Sequence, residues 1–161
     1  PGSVWPWRAG WMRWITPASG AIWPPRSSYA TRWRACVPLE PELMLPAPAQ
    51  GTIAIQVRVN DSRTRPLVAA LDDHVTHVCT TVERLLMHEL EGGCRIPLGA
   101  LATLSGNTVT LHARLSDADG RQLLEETASG SANALPALAR QMAEAFRARG
   151  AAAILATLRP R

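Results

Sequence analysis

Apolar and polar positions change their period several times along this chain, and each change marks an element. Thr52 to Val59 alternates strictly, with Ile53, Ile55, Val57 and Val59 on one face and Thr52, Ala54, Gln56 and Arg58 on the other, which predicts a strand. Asn60-Asp61-Ser62 then offers side-chain oxygens to free backbone amides, a helix-start signal. The helix is expected to reach about Leu71, with Leu67, Val68 and Leu71 toward the core. Asp72-Asp73 separates it from a second helix, in which Val75, Cys79, Val82, Leu86 and Leu90 recur at three- and four-residue steps. His77, Thr81, Arg84 and His88 form the opposite polar face, and Glu83 reads as a solvated helix residue. Gly92 ends this helix.

Period two returns after Pro97. Ile96–Leu104, Thr108–Ser116 and Gln122–Ser129 read as three strands joined by the turns Ser105-Gly106-Asn107 and Asp117-Ala118-Asp119-Gly120. Val109, Leu111, Ala113 and Leu115 face inward. A last helix carries Leu135, Leu138, Met142 and Phe146 on one stripe and stops at Gly150, with a further short helix over 151–158. The expected fold is α+β: a three-stranded antiparallel sheet packed with helices, preceded by an irregular N-terminal arm.

Composition sharpens the division. All six tryptophans lie before Ala35, together with Tyr29, and Pro6, Pro17, Pro24 and Pro25 interrupt the same stretch. Residues 1–38 therefore read as an irregular Trp/Arg/Pro-rich arm. Residues 39–59, with Pro41, Pro46 and Pro48, read as a linker and strand, and residues 60–158 as the domain. Trp7, Trp11 and Trp14 sit at helical spacing, which would suit a membrane surface, but no sustained period or cap supports a helix there.

The pI of about 9.8 suggests nucleic acid until the charges are placed. Arg8, Arg13, Arg26, Arg32 and Arg34 account for 5 of the 17 basic residues before Val37, where there is no acid. The remainder carries 12 basic against 13 acidic residues, a net of −1, and has no block of like charge to neutralise phosphates. No stretch is apolar for the roughly 18 residues a membrane span needs, and no secretory signal pattern is visible. Three cysteines without a CxxC pair favour a reducing compartment. His74, His77, His88 and Cys94 show no metal-ligand spacing, and no glycine-rich phosphate loop appears. Cys79 lies on an apolar stripe and reads as core. Cys94 stands on Gly92-Gly93, between a helix end and Pro97, where neighbouring side chains are absent. By spacing alone it is either an inert small residue or a presented thiol.

Four runs carry a family resemblance: Leu45-Pro46-Ala47-Pro48-Ala49-Gln50-Gly51, Asp61-Ser62-Arg63-Thr64-Arg65, Val82-Glu83-Arg84 and, above all, Glu91-Gly92-Gly93-Cys94-Arg95-Ile96-Pro97-Leu98-Gly99. In order and spacing they resemble the last third of porphobilinogen deaminase (hydroxymethylbilane synthase), over about residues 39–158. The resemblance implies that Cys94 holds a dipyrromethane through a thioether, with Gly92, Gly93, Gln50 and Gly51 near that cofactor. It implies a monomeric, cytoplasmic transferase of tetrapyrrole (heme) biosynthesis. Its reaction joins four molecules of porphobilinogen, with loss of ammonia, into hydroxymethylbilane. In that family the catalytic aspartate and the substrate-binding arginines belong to two preceding domains. No catalytic residue is therefore assigned in this chain, which is expected to be inactive alone. Ala49 stands where the family has glycine. The alternative is a non-catalytic α+β binding module that kept the fold and lost the chemistry.

Overall fold

The computed structural model describes residues 12–15, 39–90 and 96–157. Their order is β1 (Met12–Ile15), β2 (Ile53–Gln56), α1 (Thr64–Ala69), α2 (His74–Glu89), β3 (Leu98–Ser105), β4 (Thr108–Ser116), β5 (Leu123–Ser131), a 3₁₀ turn (Ala132–Ala134), α3 (Leu135–Ala148) and α4 (Ala151–Thr157). The meander β3-β4-β5 is antiparallel throughout, with Ala102 opposite Leu111 and Leu111 opposite Ala128. Ser105 faces Thr108 across a two-residue loop in which Gly106 takes φ 59°, a torsion that costs glycine nothing. Asp117 ties the second turn, accepting from the amides of Arg121 at 2.7 Å and Gln122 at 3.2 Å.

One face of this sheet is sealed by α2 and α3. Val109, Leu111, Ala113 and Leu115 of β4 are fully buried, as the alternation predicted. They meet Val82 and Leu86 of α2 and Leu138, Met142 and Phe146 of α3 in one apolar cluster that runs from Val78 to Ile154. Asp73 starts α2 by accepting from the amide of Thr76 at 2.8 Å. Cys79 is buried in the cluster, and burial first, then the nearby Glu83 and Asp73 carboxylates, push its thiol up to about 11.

Four expectations fail, three of them because the main apolar cluster begins only at Val78. Of the residues expected inward before it, Leu67, Leu71, Val75, Ile53 and Val59 are half or more exposed, and only Val68 is buried. The helix expected to reach Leu71 is the six-residue α1. The strand expected over Thr52–Val59 is the four-residue β2. The arm expected to be irregular contributes a strand, β1, paired antiparallel with β2 so that Trp14 lies opposite Ala54. Trp14 therefore belongs to a strand, while Trp7 and Trp11 lie outside the described residues.

Candidate functional site

A linker turn, a sheet edge and one buried carboxylate meet beside α2. In β3 the amides of Ala100 and Ala102 point away from β4, because the two-residue hairpin makes Thr103 and Ser105 the residues that pair with it. Such an edge needs partners. The carbonyl of Pro46 accepts from the Ala100 amide at 2.8 Å, and Oε1 of Glu83 accepts from the Ala102 amide at 2.8 Å. The other carboxylate oxygen, Oε2, accepts from the amide of Ala49 at 2.7 Å. One side chain of α2 thus holds both the strand edge and the turn that covers it.

The turn closes on itself as well. Gln50 donates its backbone amide to the carbonyl of Ala47 at 2.9 Å, and its side-chain oxygen accepts from the Ala47 amide at 2.9 Å. Ala49 takes φ 61° and Gly51 φ 81°. The first is a torsion that glycine adopts freely and alanine does not, at the position where the family resemblance expects glycine. Leu45 is buried against Gly99, whose α-carbon has no room for a side chain: an added Cβ would lie 2.8 Å from Leu45 Cβ. The close approach of turn and strand requires that glycine.

Glu83 corrects the sequence reading, which placed it in solvent. It is 5% exposed. Burial pushes its carboxyl up to about 7, against the pull of the Ala49 and Ala102 amides toward the charged form. The signal was present in the sequence: Glu83 follows Cys79 by four residues and precedes Leu86 by three, inside the apolar stripe. What hid it was the expectation that a helical glutamate without a basic partner is solvated.

The described residues on either side of 91–95, the segment that carries Cys94, are each held in place. Leu90, 2% exposed, closes α2, and the side chain of Arg147 on α3 donates to the carbonyl of Glu89. On the far side the Leu98 amide donates to the Ile96 carbonyl at 2.8 Å, and Ser116 donates its amide to Pro97 at 3.1 Å. Cys94, Gly92 and Gly93 lie outside the described residues, and so does Cys36. Gln50 and Gly51 are placed on the turn held by Glu83, and Gln50 spends its side-chain oxygen on that turn.

On the opposite face of the sheet, His112 and Arg114 of β4 share the carboxylate of Glu125 on β5, at 2.6 and 3.0 Å. The two bonds hold the Glu125 carboxyl below its usual range. Among the described residues no group of three or more His, Cys, Asp or Glu is placed to hold a metal ion. No helix among them is long and apolar enough to cross a membrane.

Residues 77–148 match the family model of the porphobilinogen deaminase C-terminal domain. The α+β domain is thus similar to a C-terminal domain of the porphobilinogen deaminase family. Among curated relatives, the porphobilinogen deaminase of Moorella thermoacetica is 38% identical over 118 residues, covering 73% of this chain and 38% of the relative. That of Brevibacillus brevis is 40% identical over 116 residues, covering 71% of this chain and 37% of the relative. The chain thus spans less than two-fifths of the length of these relatives. The matched span contains Glu83, Cys94 and the whole β3-β4-β5 sheet.

Proposed function

We propose that this chain is the cofactor-bearing part of a porphobilinogen deaminase, and that Cys94 is the thioether tether of its dipyrromethane. The supporting observation is the run Glu91 to Gly99, with its single cysteine, inside the span matched to the family's C-terminal domain. The chemistry of the thiols fits. Cys79 is sealed in the core with its thiol pushed up to about 11, so it supplies neither access nor thiolate. Cys94 has a glycine pair before it and a proline three residues after it. When bound, the dipyrromethane would supply the pyrrole end to which porphobilinogen units are added.

In this reading the chain's residues hold and orient. The Arg147 contact with Glu89 and the Pro97–Ser116 bond hold the described residues on either side of 91–95, one on α2 and the other on the sheet. Gln50 and Gly51 stay on the turn that Glu83 holds to β3. Residues 60–158 form the cofactor domain, residues 39–59 are a linker and strand that belong with the preceding domain, and residues 1–38 are the Trp/Arg/Pro-rich arm that supplies β1. The family reaction is a group transfer on porphobilinogen in a monomeric, cytoplasmic protein. This chain has no assigned catalytic acid and is inactive alone.

Expression beside an intact tetrapyrrole pathway tests the assignment. Mass spectrometry is expected to find two pyrrole rings on the Cys94 peptide, and colour with Ehrlich's reagent that vanishes in Cys94→Ser. An unmodified Cys94 would favour a binding module without the chemistry. Turnover of porphobilinogen by the purified chain would refute its inactivity.

A further inference from the structure

We propose that Asp119-Gly120, in the turn between β4 and β5, is the site at which this chain forms isoaspartate through a succinimide. The site does not depend on the deaminase reading. An aspartyl carboxyl rearranges readily where it is unbonded, where the next backbone nitrogen is uncrowded, and where the chain can bend locally. The described residues include all five aspartates of the sequence, and Asp119 alone among them combines these conditions.

The other four carboxylates are occupied. Asp61 accepts from the amides of Arg63 and Thr64 at 3.2 and 2.8 Å, and Asp73 from that of Thr76 at 2.8 Å. Asp72 pairs with His77 at 3.3 Å. Asp117 accepts from the Arg121 and Gln122 amides inside the same turn. Each is also followed by a residue with a side chain, in order Ser62, His74, Asp73 and Ala118. Asp119 is exposed, and its carboxylate has no hydrogen-bond or ion-pair partner among the described residues. Gly120 is exposed too, takes φ 68° and has nothing within 4 Å of where a Cβ would stand. No side chain of its own crowds the nitrogen next to Asp119. What holds that nitrogen is one bond of 3.2 Å to the Asp117 carbonyl, at the tip of a hairpin, where local opening costs least.

The chemistry releases one water and takes one back. The Gly120 nitrogen attacks Cγ of Asp119 and closes a five-membered imide. The carboxyl loses its hydroxyl, which leaves with the amide proton as water. Water then adds to one of the two ring carbonyls. Cleavage of the new N–Cγ bond restores aspartate. Cleavage of the other C–N bond leaves the main chain running through Cβ and Cγ, one atom longer, with the former backbone carbonyl as a free carboxylate. Nothing is oxidised or reduced.

The added atom falls in a closely tied turn. Gly120 donates to Asp117, the Asp117 amide donates to the Gln122 carbonyl at 3.2 Å, and Ser116 stands opposite Leu123 where the ladder ends. The isomer gives up the Gly120 bond, and the Arg121 and Gln122 amides lose their fixed geometry toward Asp117.

Incubation of the folded 161-residue chain for several weeks at 37 °C and pH 6, in water enriched in heavy oxygen, tests this. Digestion, mass spectrometry and labelling with a protein isoaspartyl methyltransferase then locate the product. The peptide spanning Asp119-Gly120 is expected to give the largest isoaspartate signal in the chain, with one heavy oxygen taken up per event. The signal is expected to be lost in Asp119→Glu, whose longer side chain would have to close a six-membered ring. In the aged wild type, hydrogen exchange by NMR is expected to show lost protection at Gly120, Arg121 and Gln122, with Leu111 and Ala113 unchanged. Isoaspartate arising first at another aspartate or asparagine, an equal signal in Asp119→Glu, or isomerisation at Asp119 seen only in the urea-unfolded chain would overturn the proposal.

Discussion

Gly99→Ala tests the contact on which the turn depends. Gly99 needs no unusual torsion; it is required for space. The added Cβ would stand 2.8 Å from Leu45 Cβ, 3.3 Å from the Leu45 carbonyl oxygen and 3.5 Å from that of Pro46. Two carbons settle at about 3.5–4.0 Å, so the overlap is roughly 1 Å. Leu45 Cβ is attached directly to the backbone, so no rotamer change removes it and the whole turn must move. That motion strains or breaks the 2.8 Å bond from Ala100 to Pro46, and then the bond from Ala49 to Glu83. Overpacking of this kind costs about 1–3 kcal/mol, and each lost bond about 1 kcal/mol. Replacing glycine in a strand returns about 0.5–1 kcal/mol through the unfolded chain. The net expectation is a loss of about 2 kcal/mol, read by urea denaturation. A double-mutant cycle with Leu45→Gly isolates the clash: the pair should be less destabilised than the sum of the singles by about 1 kcal/mol or more. A Gly99→Ala chain within about 0.5 kcal/mol of wild type would show that the turn is not seated as described.

Ala49→Gly is expected to raise stability by about 1 kcal/mol, because alanine holds φ 61° at a cost glycine does not bear; thermal melting checks it, and a lowered melting temperature contradicts it. Asp73→Ala removes the bond to the Thr76 amide that opens α2 and should cost about 1 kcal/mol by denaturant titration. Raising pH from 4.5 through 7 should lower the wild-type stability by up to about 3 kcal/mol, since the folded state binds the Glu83 proton more tightly than the unfolded chain. The decline should level off above 7 and be absent in Glu83→Gln.

Local periodicity alone determined much of the domain. The strand β4 and its four inward residues, the stripe of α3 and the stop at Gly150 are visible because a fully buried face imposes strict spacing on the residues that make it. The run around Cys94 was legible for a different reason: a glycine pair, a thiol and a proline at fixed spacing form a pattern in one dimension. Tertiary structure decided what depended on distant partners. Whether Ile53, Leu67 or Val75 is covered depends on which elements reach them, and the core begins beyond all three. Glu83 looked like an ordinary surface acid because its partners are backbone amides 34 residues before it and 19 after it. Backbone amides are the same at every position, so no sequence pattern announces which of them a side chain will find. Only the folded chain brings them to one carboxylate.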